Sequence, residues 1–138
     1  MIKRIFFKTT QENTLLNEAT MTALRIVVGL LMASLHGMGK IPPGEQLIGG
    51  VAGLGFPAPE LFAWLAGLAE LLGGIFLAVG FLTRPAALMV AFTMLVAAFG
   101  RHAADPVNVK ELALLYLFVA LIFAARGAGR WSVDRFIK

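Results

Sequence analysis

Six side chains stand out because their chemistry is foreign to their surroundings. Arg25, His36, Lys40, Glu70, Arg101 and Glu111 lie inside or at the ends of segments otherwise built from Leu, Ala, Val, Phe and Gly. Cationic donors of this kind stabilise negative charge that develops on a bound oxygen. Carboxylates in the same place accept and pass on protons. In hydrocarbon such groups are costly, so they face one another, a cavity or a ligand.

Their spacing puts them together. In "ALRIVVGLLMASLHGMGKI", Ala23 to Ile41, a helix advances about 100° per residue. From Arg25, His36 then falls about 20° round the helix, Gly29 about 40°, Lys40 about 60° and Ala33 about 80°. The three basic residues therefore share a stripe with small residues, and Gly37 lies at its edge. In "ELFAWLAGLAELLGGIFLAVG", Glu60 to Gly80, Ala63, Gly67, Glu70 and Gly74 fall within about 60° of arc. Small residues four apart let two helices approach closely, and a Gly/Ala stripe needs no further role than that. Glu70 sits midway along its segment, where a carboxylate must be protonated, paired or facing water. A buried ion pair fixing helix order would satisfy it, and so would a ligand or proton site.

Helical side chains lean toward the N-terminus of their own helix. If the two segments run antiparallel, His36 and Lys40 lean back into the membrane while Glu70 leans toward them. Arg101 and Glu111, at the end of a third segment and the start of a fourth, lie at the same level. The expected site is a polar pocket of His36, Lys40, Glu70, Arg101 and Glu111, with His102 at its rim. Arg25 leans the other way and is read as a structural or ion-pair residue, or as one that snorkels to the interface.

The elements that must position these residues are membrane spans. The chain has 138 residues, 59% hydrophobic and 14% charged, with mean hydropathy +0.82. Soluble domains average roughly 25% charged residues. A hydrocarbon core needs ~20 apolar helical residues, and four segments approach this, at about 20–40, 60–80, 84–101 and 110–126. "KIPPGEQ", "GLGFPAPE", "GFLTRP" and "ADPVN" separate them, and "EQLIGGVAGLG" is a candidate short interfacial helix in the first loop. The fold class expected is an all-α integral membrane four-helix bundle. It forms a single membrane domain over 1–138, with interfacial N- and C-terminal segments.

Basic residues also orient the bundle. Lys3, Arg4, Lys8, Arg84, Arg126, Arg130, Arg135 and Lys138 fall on one side, and Lys40, Arg101 and Lys110 on the other. Both termini are therefore expected in the cytoplasm, in a multi-pass protein of the inner membrane. Phe6, Phe7, Trp131 and Phe136 are expected at headgroup level. The first apolar run, Ile5 to Phe7, is too short for a cleavable signal peptide. The net charge of +4 is distributed along span ends rather than on one solvated face, so nucleic acid is not an expected partner. With no cysteine, disulfides, thiol redox chemistry and Cys-ligated clusters are excluded. No metal site is expected.

The chain resembles the DoxX family of small four-span membrane proteins. The resemblance rests on "LRIVVGLLMASLHGMGKI", "GLGFPAP", "AELLGGIFLAVGFLTRPAAL", "KELALLYL" and "GAGRWSVD", in that order from about Leu24 to Asp134. It implies a four-helix membrane bundle and association with oxidoreductases. Some relatives are linked to thiosulfate oxidation with quinone as acceptor, others to redox complexes that protect against oxidants.

Four readings follow. The first is a membrane subunit of a quinone-linked oxidoreductase. Lys40, His36 or Arg101 would then stabilise charge on quinone oxygens and Glu70 or Glu111 would relay protons, with electrons coming from a partner subunit. The second is a transporter or proton-coupled binder of small amphipathic molecules. The third is an accessory or assembly subunit of a larger membrane complex, without chemistry of its own; partner membrane or redox subunits would fit the first and third readings, and a homo-oligomer the second. The fourth is haem held by His36 and His102, which two histidines alone support weakly. Quinone is the ligand the first reading requires, and no cofactor is assigned beyond it.

Overall fold

The computed structural model describes residues 15–137, all regular structure among them being helical. Helix α1 (Leu15–Leu31) runs on through a π-helical turn at Met32–Gly37 and a 3₁₀ turn at Met38–Lys40. The short α2 (Glu45–Gly53) follows in the first loop. Next come α3 (Pro59–Val79) and α4 (Thr83–Val96), the latter extended by a π-helical turn at Ala97–Arg101. Helix α5 (Val107–Arg126) and the single-turn α6 (Val133–Ile137) complete the described chain.

Four of these are long and apolar enough to cross a bilayer: Leu15–Lys40, Pro59–Val79, Thr83–Arg101 and Val107–Arg126. The expected spans are all present, with two differences at their starts. The first helix is already formed at Leu15, because nothing between Leu15 and Thr20 breaks it. The fourth begins at Val107 rather than 110, because Pro106, extended at ψ 159°, serves as its N-cap and lets the helix start immediately. The N-terminal interfacial segment, with Lys3, Arg4, Phe6, Phe7 and Lys8, lies outside the described residues, as does Lys138.

Large and small residues are distributed as lipid demands. Leu30, Leu65, Phe92, Leu115 and Phe118 point outward and are exposed. The interior is made largely of alanine, with Ala33, Ala63, Ala87, Ala98 and Ala120 buried around Met32, Leu77, Val90 and Phe123. Lipid tails offer no hydrophobic drive between helices, so association rests on close packing of small residues.

The closest packing is between α1 and α3. A methyl group added at Gly29 would lie 2.5 Å from the Ala78 nitrogen, and one at Gly74 would lie 2.7 Å from the Ala33 nitrogen. One at Gly37 would lie 2.5 Å from the Leu71 backbone. These helices therefore touch backbone to backbone along the stripe predicted from sequence.

A regular helix would rotate residues 29, 33 and 37 progressively off one face. The wider i→i+5 turn at Met32–Gly37 unwinds that drift and keeps all three against α3. It also corrects the expected stripe. His36 turns away from α3 and meets the ring of Tyr116 on α5 edge-on, with centroids 5.3 Å apart.

At the opposite end, α3 finishes in a Schellman turn. Gly80 takes φ +72°, its N–H bonds the Leu77 carbonyl at 3.2 Å, and the Phe81 N–H bonds the Phe76 carbonyl at 2.9 Å. The tail folds back over this turn. Asp134 accepts hydrogen bonds from the Leu82 and Thr83 N–H groups at 2.8 and 3.0 Å, capping the start of α4. Glu18 on α1 ties down the end of α5, accepting from the Arg126 guanidinium at 2.5 Å and the Arg130 N–H at 3.0 Å.

Candidate functional site

Lys40 and Glu70 meet where the first span ends. Gly37 and Gly67 make this approach possible: a methyl at Gly67 would lie 2.9 Å from the Lys40 carbonyl oxygen and 2.8 Å from the Ile41 side chain. With both positions bare, the chain leaving α1 crosses directly over α3 one turn before Glu70. Lys40 Nζ then donates to both carboxylate oxygens, at 2.7 and 2.6 Å. Glu70 is 1% exposed and the Lys40 side chain 33%, so the carboxylate is sealed and the ammonium has an open side.

That open side faces a cavity of about 500 Å³ between the α1 end, α3, α4 and the short α2. Lys40, Glu70, Thr93, Arg101 and His102 supply its polar wall, while Leu47, Val51 and Leu54 of α2 and its exit cover it with apolar surface. The π-helical turn at Ala97–Arg101 ends the third span here, and Arg101 lies over α2, its Nε 3.4 Å from where a Gly50 methyl would be. A larger residue at position 50 would meet the guanidinium. Arg101 is without a carboxylate in bridging range among the described residues. His102 pairs through Nδ1 with Asp105 at 2.7 Å, which leaves its other ring nitrogen for the cavity side or solvent.

Of the expected pocket residues, Lys40, Glu70 and Arg101 come together, with His102 beside them. Two do not. His36 packs against Tyr116 and does not line the cavity, because the π-helical turn lies between it and the regular register assumed for it. Glu111 is exposed in the first turns of α5 and does not line it either. Glu111 is helical from either start, and the cavity wall is drawn from the end of α1, α2, α3 and the end of the third span, with no residue of α5 in it.

Arg25 is not a snorkelling residue. It is 1% exposed, and its guanidinium donates to the carbonyls of Leu77 and Ala78 and to that of Trp131, each at 2.7 Å. The last carbonyls of a helix lack partners within it and carry its partial negative charge. A guanidinium placed there closes the end of α3 and fastens the tail to it. The participants that sequence reasoning missed are Asp134 and Glu18, whose partners are far away along the chain. The capping preference of aspartate signals a helix start nearby in sequence, and here the helix it caps begins some fifty residues earlier.

Four apolar spans, small-residue packing and an intramembrane Lys–Glu clasp beside a polar cavity define a small multi-pass membrane protein. Residues 20–103 match the DoxX family. An uncharacterized protein of Haemophilus influenzae is 36% identical over 124 residues, covering 83% of this chain and 89% of that one. The chain belongs to the DoxX family. No solved structure matches it.

Proposed function

We propose that this chain is a membrane subunit of a quinone-linked oxidoreductase and that the cavity beside Lys40 and Glu70 receives the quinone head. The observation that carries the reading is the cavity itself, with a sealed carboxylate, two cations and an apolar cover. Its volume of about 500 Å³ lies in the range of small-ligand sites.

A quinone, when bound, supplies a two-electron, two-proton acceptor with two carbonyl oxygens. Arg101 and the open side of Lys40 are positioned to donate hydrogen bonds to such oxygens. Glu70, already held by Lys40, fixes the ammonium in place and offers an acceptor for a proton leaving it. His102, braced by Asp105, stands at the cavity wall where protons would enter from water. Leu47, Val51 and Leu54 exclude water from the ring. The chain has no cysteine to ligate an iron–sulfur cluster, so electrons would come from a partner subunit. With both termini in the cytoplasm, as the basic-residue bias implies, the cavity opens in the outer leaflet.

One observation favours a second reading. Both Glu70 oxygens are already satisfied by Lys40, so the pair also suits a purely structural clasp in an accessory subunit.

Binding of a short-chain ubiquinone analogue to the full chain in lipid nanodiscs separates the two. Glu70→Gln and Arg101→Gln should assemble with native helicity and bind the analogue about tenfold or more weakly, the size expected for losing one charged hydrogen bond. Unchanged affinity in both well-assembled variants would refute the quinone site and leave the accessory reading.

A further inference from the structure

The opposite end of the bundle carries a second cavity, of about 540 Å³, which the quinone reading does not use. It opens between the α3–α4 turn, the end of α5 and the returning tail. Three guanidinium-bearing residues line it: Arg84, Arg126 and Arg135. Arg126 is tied to Glu18. Arg84 and Arg135 are exposed, with no carboxylate in bridging range among the described residues. Arg84 is folded into the cavity rather than splayed away, since its Nε lies 3.4 Å from the point a Gly127 methyl would occupy. The absence of a side chain at Gly127, which takes φ +84°, leaves that space to the guanidinium.

Two further features point to an anion. Thr83, at the start of α4, lines the same cavity, and its buried hydroxyl has no hydrogen-bond partner. The one carboxylate in the lining, Asp134, is turned onto the Leu82 and Thr83 N–H groups. The rim, by contrast, is apolar. Leu82 and Ile137 line the cavity while 49% and 65% exposed, and Phe136 beside them is 89% exposed. Guanidiniums inside and bare apolar side chains outside match a phosphate that arrives attached to acyl chains.

We infer that this cavity binds the headgroup phosphate of an anionic phospholipid, held mainly by Arg84 and Arg135. Arginine forks fit phosphate oxygens bidentately, and basic pockets among membrane helices are suited to lipid heads. Because the tail forms one wall, lipid binding also holds the tail against the α3–α4 turn. The inference stands on this end of the molecule alone and does not depend on what occupies the other cavity.

Native mass spectrometry of the full chain in mild detergent tests it, with phosphatidylglycerol, phosphatidylcholine and inorganic phosphate as probes. Phosphatidylglycerol should saturate one site and be retained in preference to phosphatidylcholine. Replacing both arginines (Arg84→Gln with Arg135→Gln) should weaken it about tenfold or more. Arg130→Gln makes the same kind of charge change at the same end but removes no cavity residue, and it should bind as the unaltered chain does. Since Arg84 and Arg135 are exposed, the double variant should keep native helicity and elution. Equal retention of the two lipids, unchanged affinity in the double variant, or equal loss in Arg130→Gln would each overturn the proposal. Inorganic phosphate competing at the same concentration as phosphatidylglycerol would overturn its lipid part.

Discussion

The Lys40–Glu70 clasp makes an asymmetric prediction. Its two partners are buried to different degrees, at 33% and 1% side-chain exposure, so removing one is not equivalent to removing the other. Lys40→Met strands a carboxylate that is almost fully covered. Breaking a buried pair in this way costs about 3–5 kcal/mol. Glu70→Gln strands an ammonium that already faces the cavity and keeps one amide oxygen as acceptor. Its cost is the smaller one of a weakened hydrogen bond, about 1–2 kcal/mol.

In the double variant Lys40→Met with Glu70→Gln, neither charge remains. Its destabilisation should fall below the sum of the single variants by about 2 kcal/mol or more, the coupling expected of directly bonded partners. Unfolding of the purified chain in mixed micelles of increasing SDS content reads all four corners of the cycle. Additivity to within about 0.5 kcal/mol, or a Glu70→Gln variant less stable than Lys40→Met, would refute the argument that the pair is coupled and sealed on the carboxylate side.

Other outcomes follow from the same packing. Gly29→Ala and Gly74→Ala should each destabilise by about 1–3 kcal/mol through overpacking, whereas Gly39→Ala, with nothing within 4 Å, should be close to neutral in the same SDS titration. Arg25→Lys keeps the charge but not the fork that reaches three carbonyls on two segments. It should lose about 1.5–3 kcal/mol and expose the tail to proteolysis after Arg130, read by limited trypsin digestion. Asp134→Ala removes the cap on α4 and should cost about 0.5–2 kcal/mol, with thermal unfolding as the measure. Reporter fusions should place residue 138 in the cytoplasm and the α2 loop outside, and a periplasmic C-terminus would overturn the orientation.

The spans were legible because their signal is local. Twenty apolar residues in a row, bounded by Pro, Gly and charge, have one stable solution in lipid. The small-residue stripe of Gly29, Ala33, Gly37, Gly67 and Gly74 was legible for a related reason, since absent side chains matter only where another backbone approaches. Depth and direction turned Glu70 toward His36 and Lys40, for a midplane carboxylate needs a partner and few cations can reach it, and the structure gives the pairing to Lys40.

Which of the candidate residues share one cavity was decided by tertiary structure. His36 left the expected pocket because a π-helical turn breaks the 100° register on which its placement rested, and no residue type in "MASLHG" announces such a turn. Glu111 left because the cavity is walled by the other helices and takes no residue from α5. Arg25 and Asp134 take their roles from groups fifty or more residues away, the final carbonyls of α3 and the first amides of α4. Those backbone groups are present at every helix end whatever the sequence. Which side chain satisfies them depends on where the chain returns, and that is a property of the fold.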